Sequence, residues 1–533
     1  MAIYALASRK LIDALSNVSD EVKQVWFADD NSDAGTIEGL HLVWNKLNEI
    51  GPLFGYFPKA SKTVLVVKSE ADLKKAEELF AEENITITCK GERHIGAALG
   101  AEEFKRTFVE LKVEKWIEDV RKLAKFAESE PQAALSSYNT GLSQRWTFLQ
   151  RTVQGIGYLF EPLENSIKEE LIPAIIGRKI SELERRICAL PYRYGGLGII
   201  DPTQSAERQY KASRKITAPL TKLMLEQNMD LALLNKDDVK DKKNEVTAER
   251  EKELKLELEN ICHVLDEKAE RLLKAACEKG SSSWLSALPL KKMGYSLNKQ
   301  DFRDAIALRY GWNVPGMPNF CGCGKPNSMD HILTCKKGGF VSMRHNVLRN
   351  TEARLMKNVC KDVKIEPELL PVQGEQIQGN TAEKARLDVS ARGVWGLQEK
   401  TFFDIRVFHP NADSNLNKTL DALYVQNENQ KKKAYNERVV QVEKASFTPL
   451  VFSTAGGMGK ECHILNKRLA ELIALKNGEI YSQVITHIRT RLRFALLKAT
   501  VVAVRGVRGR AVNGELDIDM ISFNLIPHEN CIE

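Results

Sequence analysis

The sequence predicts a multidomain α+β protein, and three observations predict it. The chain has 533 residues, more than one core of ordinary size serves, so about three domains are expected. Short apolar runs such as Thr63 to Val67 and Phe447 to Ser453 have the length of buried strands, and long helical stretches separate them. Hydrophobic residues make up 43% and charged residues 28%, an ordinary globular composition. That excludes wholesale disorder, a collagen-like chain and a disulfide mini-scaffold.

Lysine and arginine number 78 against 71 aspartates and glutamates, for a formal charge of +7. This mildly basic balance permits a nucleic-acid partner without requiring one. Ten cysteines are spread unevenly, and only Cys321 and Cys323 sit close together. Such usage points to a reducing compartment and one metal site rather than a disulfide framework. The N-terminal MAIYALASRKLIDAL places its apolar residues before Arg9 and Lys10, the reverse of a secretory signal. No uncharged run reaches the roughly 18 residues of a membrane span. A soluble intracellular protein, with no membrane partner, is expected.

In order along the chain, residues 1–20 read as a helix and 22–31 as a strand running into a tight acidic turn. Residues 35–50 are helical, with Leu40, Leu42, Trp44 and Leu47 apolar. Thr63 to Val67 is a short strand, 70–82 a charged helix and Ile85 to Cys89 another strand, together a small α+β layer. Residues 101–230 are mostly helical, broken at 190–202 by the Gly- and Pro-marked loop LPYRYGGLGIIDP. Residues 236–259 hold 16 charged residues of 24 with mixed signs, which reads as a solvated helix or linker and marks a boundary. The Pro/Gly-rich YGWNVPGMPNFCGCGKP opens the next module at 310–326. Strands are expected over 361–410, and helices around the single strand FTPLVFS over 415–510. GGMG at 456–459 has no nucleotide-cradling context and reads as structural.

Phe27-Ala28-Asp29-Asp30 comes directly after an apolar strand. Adjacent carboxylates on a strand-turn-strand can present oxygen ligands to the divalent ions that phosphoryl transfer uses. By itself the string is equally well explained as a hairpin turn. In context it resembles the catalytic YADD box of reverse transcriptases of the LINE (non-LTR retrotransposon) type. MAIYALASRKLIDAL resembles the helix after their substrate-side loop, and GPLFGYFPKASKTVLVVK the next motif, in which Lys62 would approach the incoming nucleotide. GERHIGAALG is similar to the primer-grip turn. WTFLQRTVQGIGYLFEPLENSIKEELIPAIIGR and ALPYRYGGLGI resemble the thumb and post-thumb regions, so the likeness runs from residue 1 to about 220. It implies a partial palm over 1–100 and a helical thumb over 101–230, with a charged helical linker over 231–300. A polymerase palm also needs an aspartate from an earlier strand, and this chain begins after it. Asp29 and Asp30 are therefore expected to form a polymerase remnant, without polymerase activity of its own.

Cys321-Gly-Cys323 is succeeded by His331 and Cys335. Thiolates and imidazole are the ligands zinc prefers, and four close a tetrahedral structural site. His331 and Cys335, at i and i+4, share one helix face. Two buried cysteines beside an incidental histidine is the competing, weaker explanation. The segment resembles the CCHC knuckle, placed here over 301–350, between polymerase and nuclease in the retrotransposon subclass that carries a restriction-like endonuclease. GGFVSMRHNVLRN resembles the stretch just after that knuckle in the same subclass. In it Arg344 and His345 read as phosphate-facing or structural.

Asp388 opens a short strand, and 15 residues separate it from Asp404 in FFDIRVFHP. Carboxylates at the ends of adjacent strands can hold Mg²⁺, and a nearby lysine can orient water and offset phosphate charge. Without context these are common surface features. In context residues 351–533 resemble the PD-(D/E)xK-like α/β nuclease core of restriction-like endonucleases. The resemblance gives Asp388 and Asp404 the two acidic positions, with Leu387 where proline is usual and Arg406 where lysine often sits. A lysine-lysine-tyrosine box corresponds to KKKAY, which makes Lys432 with Tyr435 the candidate. Glu366 matches a glutamate that some members present from a preceding helix.

Residues 481–510 carry seven lysines or arginines and no acid. Arg489, Arg491 and Arg493 alternate with apolar residues and read as phosphate-neutralising or, equally, as a plain solvated face. The resemblance as a whole implies the C-terminal part of a retrotransposon reverse transcriptase and endonuclease. Its expected cofactors are structural Zn²⁺ at Cys321, Cys323, His331 and Cys335, and catalytic Mg²⁺ or Mn²⁺ at Asp388 and Asp404 with Lys432 in support. Expected partners are DNA and the element's RNA, and the expected location is nuclear. The reaction would be nicking of target DNA by phosphodiester hydrolysis. The alternative is a decayed remnant that binds nucleic acid without cutting it.

Overall fold

The computed structural model describes residues 2–27, 30–227, 236–506 and 508. The chain is mixed α/β, dominated by helices, with small sheets. It divides into two compact units, each built from separate stretches rather than from the contiguous spans read off the sequence. Met1–Arg121, Gly141–Ile167 and Asp201–Glu253 form the first unit. Lys122–Thr140, Lys168–Ile200 and Leu254–Glu533 form the second. Among the described residues no helix is long and apolar enough to cross a membrane.

The first unit opens with helix α1 (Ala2–Ser16) and the antiparallel hairpin β1 (Lys23–Phe27) and β2 (Asp30–Ala34). Helix α2 (Ile37–Ile50) starts at Thr36, whose hydroxyl accepts the Gly39 N–H and satisfies one orphan donor. Leu11, Leu15, Val22, Val43 and Leu47 close a small core. Strand β3 (Val64–Val66), helix α3 (Glu70–Leu79) and strand β4 (Thr86–Thr88) form a parallel crossover unit, with Ser69 capping α3. Strands β5 (Gly91–His94) and β6 (Ala97–Gly100) make a second hairpin. Its turn puts Ile95 and Gly96 at positive φ, 45° and 85°. Helix α4 (Pro202–Leu225) begins at Asp201, whose carboxylate accepts the Thr203 and Gln204 N–H groups, and Pro202 sits at N1 where its missing N–H costs nothing. The buried Gln150 amide holds that corner by donating to the Pro202 carbonyl, at 2.9 Å.

In the second unit, helices α5 (Glu267–Cys277) and α6 (Lys299–Tyr310) precede a one-and-a-half-turn helix, α7 (Met329–Thr334), and helix α8 (Phe340–Lys357). Strands β7 (Lys361–Ile365), β8 (Val389–Arg392) and β9 (Lys400–Phe408) come next. Helix α9 (Leu420–Gln441) then crosses to strand β10 (Ser446–Ser453). The sheet order is β10-β9-β8-β7; β9 and β10 run parallel and the other pairs antiparallel. Helices α10 (Lys460–Asn477) and α11 (Tyr481–Arg505) complete the unit.

Strand β9 explains the layering. Phe403 and Ile405 pack with Val389, Leu450, Leu465 and Leu492 in the main core. Phe402 and Phe408, on the alternate face, pack against Val439 and against Leu423 and Tyr424 of α9. Both faces of the sheet are thus covered by helices, which is why β9 and β10 read as nearly continuous apolar runs. Helix α11 buries 16 of its 25 residues. A helix buried nearly all round is a core element, not a surface one.

Candidate metal centre and carboxylate pair

The knuckle is built locally. Cys321, Cys323, His331 and Cys335 bring their ligand atoms within 4.8 Å of one another. Ser328 caps α7 by accepting the His331 N–H at 3.1 Å, which fixes the turn carrying that ligand. Cys321 Sγ and Cys335 Sγ lie 3.8 Å apart, and Cys323 Sγ lies 3.2 Å from His331 Nε2. Two thiolates on a tetrahedral zinc at about 2.3 Å stand about 3.8 Å apart, so the donor set and its spacing fit that ion. The Lys325 backbone N–H donates to Cys323 and lowers its thiol from the ordinary value, which favours the thiolate that metals bind. Such a site would be structural: all four positions are protein ligands.

The knuckle is tied to the sheet. Asp330, beside the His331 ligand, accepts from His409 Nε2 at 2.9 Å and from Lys268 at 2.9 Å. His409 comes just after β9, and its Nδ1 lies 2.8 Å from the Thr454 hydroxyl.

Ladder register brings the two sequence-predicted acids together. Val389 pairs with Phe403 across β8 and β9, and one further step sets Asp388 opposite Asp404. Asp388 Oδ2 accepts the Ile405 backbone N–H at 2.6 Å, and its Oδ1 lies 2.7 Å from His345 Nε2. Burial pushes Asp388 up, but the His345 hydrogen bond and the Ile405 N–H outweigh it and hold the carboxyl below its ordinary value. Asp404 is 6% exposed. Burial and the facing Asp388 raise it to about 6, with Lys431 opposing.

Lys432, the lysine expected at this pair, is elsewhere. Its Nζ pairs with Glu461 Oε1 at 2.5 Å, and Lys431 Nζ lies 2.5 Å from Asp404 Oδ2. The reason is helical phase. Each residue turns about 100° around a helix, so adjacent lysines face different neighbours. Lys431 also lies 5.9 Å from the Tyr435 ring centroid, at i+4. Glu366 is likewise not presented from a helix: it lies just past β7 at φ 51° and pairs with Arg349.

The basic stretch corrects another expectation. Arg491 and Arg493 are 6% and 5% exposed, inside the packing of α11. Arg493 Nε donates to the Ser281 carbonyl at 2.9 Å, and burial pushes its guanidinium down to about 9. Burial likewise pushes Arg491 down to about 10. Neither is a solvent-facing cation. Arg489 is half-buried. GGMG serves this packing: at Gly456 (φ 101°) an added Cβ would sit 2.6 Å from the Arg493 side chain. Arg344 is buried, donates to the Leu333 carbonyl at 2.9 Å and lines a groove.

In the first unit, Asp30 is exposed at the start of β2, opposite Phe27, and Asp29 lies outside the described residues. Lys62 is exposed at the end of the 3₁₀ turn Ala60–Lys62. A cleft of about 1280 Å³ runs past both hairpins and β3, but its described lining includes neither Asp30 nor Lys62. Asp33 lines it instead, with its carboxyl raised by burial to about 6.

Sequence reasoning gave no definite role to His345 and passed over Lys431. The only signals were the position of His345 in the stretch after the knuckle and the presence of Lys431 in the triple-lysine run. No protein-family model and no curated protein matches this chain.

Proposed function

We propose that the chain is the C-terminal part of a LINE-type retrotransposon reverse transcriptase and endonuclease, and that its second unit nicks DNA by metal-dependent phosphodiester hydrolysis. The observation that carries this reading is the Asp388–Asp404 pair. Two carboxylates stand across one ladder step, Asp404 buried and Asp388 half-buried, with a lysine against the first and a histidine against the second.

The donors fit a hard divalent cation. Both are carboxylate oxygens, and Asp404 is raised by burial and by its acidic neighbour, a repulsion that a bound cation would relieve. Mg²⁺ or Mn²⁺ held there would activate water and neutralise charge on the phosphate. The chain's own groups do the rest. The Ile405 N–H and His345 fix the Asp388 carboxylate, so its oxygens are set before substrate arrives. Lys431 sets its ammonium against Asp404, where it would offset the negative charge that grows during attack at phosphorus. Helices on both faces keep the strands that carry the pair rigid. The knuckle, with zinc at its three cysteines and one histidine, would anchor the end of β9 through Asp330 and His409.

The sequence likeness from the acidic hairpin through the knuckle to KKKAY supports the same assignment, with the first unit as a partial palm and thumb. The test is supercoiled plasmid incubated with the purified chain in Mg²⁺ and in Mn²⁺, beside Asp388→Ala and Asp404→Ala. Nicking by the parent and by neither variant is expected. A folded, zinc-loaded parent that leaves plasmid intact in both metals would overturn the endonuclease and leave a nucleic-acid-binding remnant.

A further inference from the structure

The second unit holds a groove of about 430 Å³ whose described lining contains four cations, Lys336, Arg344, Arg406 and Lys418, and no carboxylate. Its walls are the end of α7, the first turn of α8, the end of β9 and one face of α9. Lys336, Arg406 and Lys418 are exposed. Asn427 and Gln430 of α9 add amide groups, which serve as donors to an anion.

Arg344 is the informative member. It is 2% exposed, and its Nη2 donates to the Leu333 carbonyl at 2.9 Å. Its Nε has no partner among the described residues. Burial alone pushes the guanidinium down to about 10. A buried cation with no carboxylate beside it is costly and needs an anion to complete it.

The groove leads to the acidic pair. Arg406 lies two residues beyond Asp404 on β9, so both point to the same face. Asn427 lies one turn before Lys431 on α9. We infer that this groove binds the phosphate backbone of a DNA strand beside the Asp388–Asp404 pair, with Arg344 as the buried donor and Arg406, Lys418 and Lys336 as the rim. The inference rests on the nuclease reading for which strand is held, but it is tested by binding alone.

The experiment uses the full, zinc-loaded chain without added Mg²⁺ or Mn²⁺, and a fluorescein-labelled DNA duplex read by anisotropy over a range of salt. Each neutralised phosphate contributes a slope of about −0.9 to log K against log salt. The double variant Arg406→Ala/Lys418→Ala, changed only on the exposed rim, is expected to flatten that slope by about 1.8. Its affinity at low salt should fall at least about tenfold, while Lys467→Ala on the exposed side of α10 stays at parent values. Arg344→Met removes a core contact as well, so the rim variant decides. Unchanged slope and affinity in the double variant would overturn the inference. So would calorimetric binding of inorganic phosphate that is lost in the double variant while DNA affinity is not, which would mean a free-anion site. A parent that binds through the groove but never nicks plasmid sinks the nuclease reading and leaves the groove. A parent that nicks plasmid, with a double variant that binds normally, sinks the groove alone.

Discussion

Lys431 places its ammonium 2.5 Å from the Asp404 carboxylate, across the interval between α9 and β9. The neighbouring Lys432 spends its charge on Glu461. Lys431→Met is therefore expected to slow plasmid nicking by about 10²–10³, the scale on which a preorganised charge acts at a reacting centre. Lys432→Met should stay within a few-fold of the parent. Initial nicking rates at saturating metal decide the matter, and the reverse ranking would return the role to Lys432.

The knuckle should carry one zinc per chain. Metal analysis of the purified protein is expected to give that stoichiometry, and Cys335→Ser or His331→Ala to lower it. Structural zinc contributes folding energy outright, on the order of 10 kcal/mol in small isolated knuckles. A strong chelator should thus lower the melting temperature of the parent but not of Cys335→Ser. A parent that melts identically with and without chelator would speak against a structural ion.

Glu352 in α8 is fully buried, and neither carboxylate oxygen has a partner among the described residues. Burial raises it from 4.5 to about 8, so the folded chain keeps a proton that the unfolded chain releases. The unfolded state then binds fewer protons between about pH 4.5 and 8, and stability falls as pH rises through that window. The slope is on the order of 1.4 kcal/mol per pH unit. Glu352→Met should be more stable than the parent at pH 8 and should lose this slope, as read by urea denaturation at several pH values. Parallel curves for the two proteins would rule the account out.

Arg505 donates to both oxygens of Asp304, at 2.7 and 2.9 Å, and Asp304 is 1% exposed. Breaking such a pair strands a buried carboxylate, so Arg505→Ala should cost about 3 kcal/mol. Asp304→Asn/Arg505→Ala should recover part of that loss. Denaturant titration of Asp304→Asn, Arg505→Ala and the double variant forms the necessary cycle, and equal losses in Arg505→Ala and the double variant would count against the pair.

Local features were legible in the sequence. The acidic hairpin, the β3–α3–β4 segment, the knuckle spacing and the single strand between α9 and α10 are set by local periodicity and residue type. The carboxylate pair was legible as two acids on neighbouring strands. Features that depend on distant partners were not. Which lysine of KKKAY meets Asp404 depends on the phase at which α9 lies on β9. Arg493 reads as a solvent-facing cation until Ser281, 212 residues earlier, supplies a carbonyl. The alternation of arginine with apolar residues in α11 reads as phosphate-neutralising or as a solvated face, whereas most of the helix is buried. His345 gains meaning only when β8 delivers Asp388 to it.

That enclosure has a consequence for synthesis. Helix α11 completes the main core, yet it is made after every strand it packs beside. Until α11 is made, Val484, Ile485, Ile488, Leu492 and Leu496 are missing from the core that Phe403, Ile405 and Phe452 share with α8 and α10. The core of the second unit is therefore complete only after this helix has been made. A product that stops near Asn477 would lack those five apolar side chains and is expected to be a client for chaperones and proteases.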